Sequence, residues 1–106
     1  MAQFDVHRNT GPSRVSTPFV VIVQSSQFDG YRRRIVAPLV KENTIGAHTL
    51  RTLNPKFTIQ NTRVVLNPLD LVSVPVAQLG EYVGSLADVS DQIVAALDEV
   101  FTRAWK

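Results

Sequence analysis

The sequence predicts a mainly β domain, closed or nearly closed, that ends in one substantial α-helix. Three observations lead there. Across roughly the first ninety residues, apolar positions come in short alternating or β-branched runs broken by Gly, Pro, Asn and hydroxyl side chains. Near residue 89 the pattern turns helical: Val89, Ile93, Leu97 and Phe101 recur four apart, flanked by Val94, Ala96, Val100 and Ala104. A chain of 106 residues with 44 % hydrophobic content suits one domain, 1–106, around one core.

The elements follow in order. Phe4 and Val6 alternate with Gln3, Asp5 and His7, the pattern of a half-buried first strand. Residues 9–17, with Gly11 and Pro12, form an exposed loop, and Phe19 to Val23 is a β-branched run that fits a central strand. Gln24 to Gly30 is turn-rich. Ile35 to Val40 is strand-like, and Pro38, which has no N–H for a ladder, points to an edge or bulge. Residues 41–54 are ambiguous up to Asn54-Pro55, where the proline disfavours helix at the residue before it. Phe57 and Ile59, a turn at Gln60 to Thr62, and Arg63 to Leu66 read as a hairpin. Leu71 to Val76 is strand-like as far as Pro75, or gives way to a helical turn ending at Gly80 in a left-handed cap. The last helix spans about 89–103, with Ser85 or Ser90 as its cap and Asp91 and Arg103 suited to its dipole.

Composition narrows the function. There is no cysteine, so disulfides and thiolate metal sites are excluded and a reducing cytoplasm is permitted. The start lacks the basic and apolar regions of a signal peptide, and no apolar run approaches the length of about eighteen residues that a membrane span needs, so the expected location is cytoplasmic with no membrane partner. Charge is uneven. Residues 1–66 hold nine Lys or Arg against Asp5, Asp29 and Glu42, a net of +6, whereas residues 67–106 carry a net of −4. Opposite halves can pack on each other, or leave a basic surface for an acidic peptide or nucleic acid.

Catalytic and metal motifs are scarce. His7 and His48 lie far apart with no cysteine to join them, so no metal and no cofactor are expected. No phosphate-binding glycine motif or nucleophile elbow occurs. A ribonuclease needs only a base and cations near a scissile phosphate, for which His7, Arg8, Arg32 and Arg34 are candidates; otherwise they are surface residues on strand ends and loops. Arg32-Arg33-Arg34 is the densest basic feature, with Arg32 and Arg34 on one face if it is a strand. With Arg8, Arg14 and Lys41 it could bind phosphates. The only tryptophan, Trp105, sits where chains usually fray, which calls for packing, a subunit interface or a protein contact.

With these segments in order, the chain resembles the CcdB family of plasmid and chromosomal toxins. The resemblance is carried by Gln3-Phe4-Asp5-Val6 with His7-Arg8-Asn9, by Val23-Gln24-Ser25 with Phe28-Asp29, and by Arg34-Ile35-Val36-Ala37-Pro38-Leu39. It continues through Leu53-Asn54-Pro55, Ser73-Val74-Pro75-Val76, Leu79-Gly80 and Asp91-Gln92-Ile93 with Ala96-Leu97-Asp98. Ser26 stands where relatives usually have aspartate.

The resemblance implies an SH3-like β barrel with extra strands and a C-terminal helix, a homodimer, and a toxin that is not an enzyme. It implies binding to the A subunit of DNA gyrase, trapping of the gyrase–DNA cleavage complex, and neutralisation by an antitoxin with a disordered C-terminal segment. Operator DNA is then bound only through the antitoxin complex, in which the toxin assists repression of transcription. The gyrase contact falls on Thr102, Arg103, Ala104 and Trp105, supported by Val94, Leu97 and Phe101 near the dimer interface. Arg8, Arg14, Arg32 and Arg34 are the candidate antitoxin or anion surface. At the helix tip Arg103 replaces the glycine of relatives, and the chain runs two residues further. Two alternatives follow: a member that binds antitoxin but has lost or changed its topoisomerase target, and an SH3-like endoribonuclease toxin.

Overall fold

The computed structural model describes residues 1–45 and 52–102, and its frame is one antiparallel sheet. The strands are β1 (Asp5–Arg8), β2 (Phe19–Ile22), β3 (Arg33–Lys41), β4 (Lys56–Ile59), β5 (Thr62–Leu66), β6 (Val72–Pro75) and β7 (Tyr82–Ser85). They run in the order β4-β5-β3-β2-β1-β7, with β6 also paired to β3, and the sheet curls into a half-barrel. A single helical turn, α1 (Glu42–Ile45), follows β3, and α2 (Ser90–Phe101) ends the described chain. His48 lies outside the described residues.

The β-branched run of β2 sits at the centre, where such side chains pack well on a pleated surface. Val21 faces Val6 on one side and Ala37 on the other, and all three are fully buried. With Leu39, Val64 and Leu66 they form one core, closed from the helix side by Leu86, Ile93 and Ala96. Each large side chain so buried contributes about 1.5–3 kcal/mol.

β3 is long because it serves two partners on one side: Arg33 to Val36 pair with β6, and Leu39 to Lys41 with β5. Pro38 is therefore in a central strand, not at an edge. Its carbonyl accepts from the Asn67 N–H at 3.0 Å on the β5/β6 side. A strand residue turns its N and O to the same side, so the missing N–H falls where the ladder passes from one partner to the other and no acceptor waits.

The β4–β5 hairpin forms as expected. Ile59 pairs with Thr62 across Gln60 and Asn61, which take φ 48° and 63°, the left-handed geometry of a two-residue turn matched to strand twist. Gly80 differs from expectation. It is not a left-handed cap; it is needed for close approach, because a Cβ there would sit 2.5 Å from the Arg8 carbonyl oxygen. The turn before it covers Val76 to Gln78. β7 was not visible in the sequence, since Gly84 breaks any alternation and Tyr82 is exposed. Phe4, at φ 71°, is a bulky residue in the left-handed region, held by bonds from its N–H to Ile22 O and to its carbonyl from Leu86 N–H.

α2 begins at Ser90 with no side-chain cap on its first turn. Ser85 instead accepts the Ala87 N–H at 3.1 Å, at the head of the 3-10 turn Ala87–Val89 that leads into the helix. The helix ends at Phe101 rather than 103, with Thr102 as its cap.

Candidate functional site

The four-apart stripe on α2 splits between core and solvent. Ile93 and Ala96 are fully buried, Val89 and Leu97 pack partly against the core, and Val94 and Phe101 stand 53 % and 65 % exposed. Geometry explains the split. Positions four apart advance about 40° around a helix with each step, so Phe101 is turned roughly 80° from Ile93 and sits about 12 Å further along the axis. The helix thus presents Val94 outward in its first half and Phe101 outward at its carboxyl end.

Thr102 closes that end. Its hydroxyl reaches the Asp98 carbonyl at 2.8 Å and the Asp98 carboxylate at 2.6 Å, and its N–H donates to the same carbonyl at 2.9 Å. These bonds satisfy a terminal carbonyl and hold Asp98, whose charge opposes the helix dipole. Of the residues expected at a target contact, Thr102 is thus committed to the helix cap. Arg103, Ala104 and Trp105 lie outside the described residues.

The four arginines expected to share one basic surface are dispersed. Arg8 donates to Glu81 at 3.0 Å and Gln60 at 2.7 Å, and its guanidinium lies 5.7 Å from the Phe19 ring centroid. Arg14 is exposed and donates to the Gly11 carbonyl of its own turn, and Arg32 is exposed just before β3. Arg34 is not at the surface. At 5 % exposure it donates to the carbonyls of Tyr31 (2.6 Å), Asp29 (2.8 Å), Arg33 (3.0 Å) and Met1 (3.4 Å), with the Asp29 carboxylate at 3.8 Å. Its strong hydration is replaced by a ring of backbone acceptors, so it pins the 28–33 loop to the amino terminus. Arg32 and Arg34 therefore do not act from one face.

His7 is also inside, 4 % exposed. Its Nδ1 pairs with the Gly80 carbonyl at 2.9 Å, its ring meets Tyr82 edge-on at 5.8 Å, and Nε2 is buried without a hydrogen-bond partner among the described residues. The sequence suggested an outward side chain, but the Gly80 carbonyl and the Tyr82 ring close over it on that face of β1. Measured along β3, Arg34 lies four residues from Pro38, which is two strands across from His7, a displacement of about 13 Å. The candidate phosphate-cleaving set is not assembled.

Charge across the two halves is joined by one ion pair among the described residues, Arg8–Glu81. On the β4–β5 side, the Lys56 ammonium bonded to Glu42 at 2.9 Å holds that carboxylate below its ordinary value, and Arg63 adds to the effect. A groove of about 390 Å³ on the other sheet face is lined by Val20, Val36, Pro38, Val40, Val72 and Val74, and its one charged lining residue is Asp70. No group of three or more His, Cys, Asp or Glu that could hold a metal occurs among the described residues. No helix there is long and apolar enough to cross a membrane.

This half-barrel with its exposed helix end can be set against known proteins. A family model described as CcdB protein matches residues 3–102. The chain belongs to the CcdB family. Membership supports a toxin of a toxin–antitoxin pair, and so an antitoxin partner. No curated protein matches the chain. Among solved structures, an endoribonuclease from a mycobacterial species is similar at a TM-score of 0.71 and 14 % identity, covering 100 % of this chain and 95 % of that one. At that identity the likeness shows shared fold alone.

Proposed function

We propose that this CcdB-family chain works as a homodimeric toxin that docks on the A subunit of DNA gyrase and traps the gyrase–DNA cleavage complex, acting in the cytoplasm without catalysis. One observation carries the reading: Phe101 stands exposed at the end of a helix anchored by fully buried Ile93 and Ala96. A rigid aromatic on a fixed element loses little freedom on binding and is the kind of side chain that anchors interfaces. Val94 and Leu97 extend the same surface toward a two-fold partner, and Thr102 to Trp105 complete it. The non-catalytic reading is supported by the confinement of His7 and Arg34: the imidazole Nδ1 and the guanidinium are held on backbone carbonyls.

A disordered, acidic antitoxin segment would meet the exposed Arg14 and Arg32 and the rim residue Arg8, and operator DNA would be bound through that complex. Arg103, where relatives have glycine, favours a second reading in which antitoxin binding is kept and the topoisomerase target is changed.

The test is purified gyrase incubated with full-length protein, with a chain ending at Phe101, and with Phe101→Ala. Stabilised double-strand cleavage that falls at least tenfold in both variants is expected. Toxicity with no cleavage by gyrase moves the target to another topoisomerase. Fragmentation of RNA by the folded protein, lost on His7→Gln, replaces the docking account with an enzymatic one.

A further inference from the structure

The outer edge of β6 is covered by a side chain from its own sheet. β6 pairs with β3 through Arg33↔Pro75, Arg34↔Val74, Ile35↔Ser73 and Val36↔Val72. The Val76 N–H donates to the Arg32 carbonyl at 2.8 Å, which sets the phase of the ladder. Residues 72, 74 and 76 turn their backbone groups toward β3, and Ser73 and Pro75 turn theirs outward. Pro75 offers no N–H. Arg33 closes the Ser73 carbonyl: its Nη2 donates to that oxygen at 2.7 Å and its Nε to the Ser73 hydroxyl at 2.8 Å.

We propose that β6 is a latent pairing strand for a second copy of this chain, and that Arg33 is the guard that keeps it shut. The edge is self-complementary. In an antiparallel two-fold pair with Ser73 opposite Ser73 of the second copy, each N–H meets the other carbonyl, and both bonds use the same two outward groups. Val72, 51 % exposed, would then lie opposite Val74 of the second copy, and Val74 opposite its Val72. Such an edge invites association unless it is blocked.

Arg33 blocks it twice. Its fork occupies the carbonyl that the second copy needs. It also places a guanidinium within 2.8 Å of Ser73, so a two-fold pair would bring two like charges together at the new contact. No carboxylate pairs with Arg33 among the described residues, so this charge is not neutralised in place. The contact is distinct from the helix-end surface and does not depend on the toxin reading.

The experiment compares full-length wild type with Arg33→Met, which keeps an unbranched apolar stem and removes the fork, by sedimentation velocity over a hundredfold concentration range. Exchange of the Ser73 amide is followed in parallel. The expected result is a concentration-dependent doubling of mass relative to wild type, with Ser73 exchange slowed about tenfold in the larger species. Adding Ser73→Pro to Arg33→Met should restore the wild-type distribution, because it deletes an outward donor and no bond to β3. Arg33→Gln, polar and also without the fork, should double as well and stands in if the methionine variant misfolds. Either folded variant sedimenting as wild type throughout, or a doubling that survives Ser73→Pro, overturns the proposal.

Discussion

Replacing Gly80 by alanine tests whether the crossing of the 76–80 turn over β1 is as tight as the structure has it. A Cβ at residue 80 would lie 2.5 Å from the Arg8 carbonyl oxygen, 3.1 Å from the Arg8 carbonyl carbon and 3.0 Å from Thr10 Cγ2. Two of these neighbours are backbone, so the strain cannot be relieved by a rotamer change. The segments must part by several tenths of an ångström, which breaks or weakens two bonds: Gly80 N–H to the Arg8 carbonyl at 3.2 Å, and His7 Nδ1 with the Gly80 carbonyl at 2.9 Å. Losing a backbone bond costs about 1 kcal/mol, and leaving the buried imidazole nitrogen unpaired costs roughly 1–3 kcal/mol more. The expected loss is therefore about 2–4 kcal/mol, or on the order of 10–20 °C in Tm for a domain of this size. Gly30→Ala is the control, since nothing lies within 4 Å of a Cβ there, and it should leave stability within about 0.5 kcal/mol. Urea unfolding of both variants at fixed protein concentration is the assay. If Gly80→Ala matches Gly30→Ala with an unchanged m value, the close approach is wrong, and with it the account of why glycine is required.

Three further outcomes are expected. Ile93→Ala should cost about 2–5 kcal/mol in denaturant unfolding, because Ile93 is fully buried, whereas Phe101→Ala should change folding stability by less than about 1 kcal/mol while reducing target docking. Arg34→Met should destabilise by about 2–4 kcal/mol and speed amide exchange across residues 28–33, since four carbonyls lose their donor; unchanged exchange there would show that the loop is held by something else. Glu42 has a lowered pKa in the fold, so its bonding to Lys56 supports stability above the ordinary carboxyl value of 4.5 and loses that support as pH falls through the folded value. The wild type should therefore exceed Glu42→Gln slightly at pH 7 and converge with it in acid, as read by Tm against pH; a gap that widens in acid would contradict the pairing.

The readable parts of the chain were those governed by local chemistry. Gln60-Asn61 between two alternating runs gives a hairpin because only left-handed geometry joins the strands with the right twist. The β-branched run at Phe19–Ile22 became the central strand, and the terminal stripe became α2. What stayed hidden depends on contacts distant in sequence. Pro38 looked like an edge residue because nothing local shows that one strand changes partners beside it. Arg34 reads as a surface charge until Met1 and the 29–33 backbone close around it. His7 alternates as an outward residue, yet β7 arrives from 75 residues away, measured from His7 to its register partner Tyr82, and covers it. At the candidate site, the sequence indicated the helix and its aromatic, whereas the turn of Phe101 away from Ile93 emerged only from the packing.

The shared strand β3 has a consequence for how this molecule is able to change. The hairpin of β4 and β5 is hydrogen-bonded to the rest of the sheet at three register positions, Leu39 to Lys41, and only its inner side chains, Phe57, Ile59, Val64 and Leu66, share the core with Leu86, Ile93 and Ala96. Substitutions on the hairpin's outer surface alter what it meets in solution without passing strain to the helix tip. Selection can thus alter the outward surface of the hairpin while the end of the helix keeps its shape.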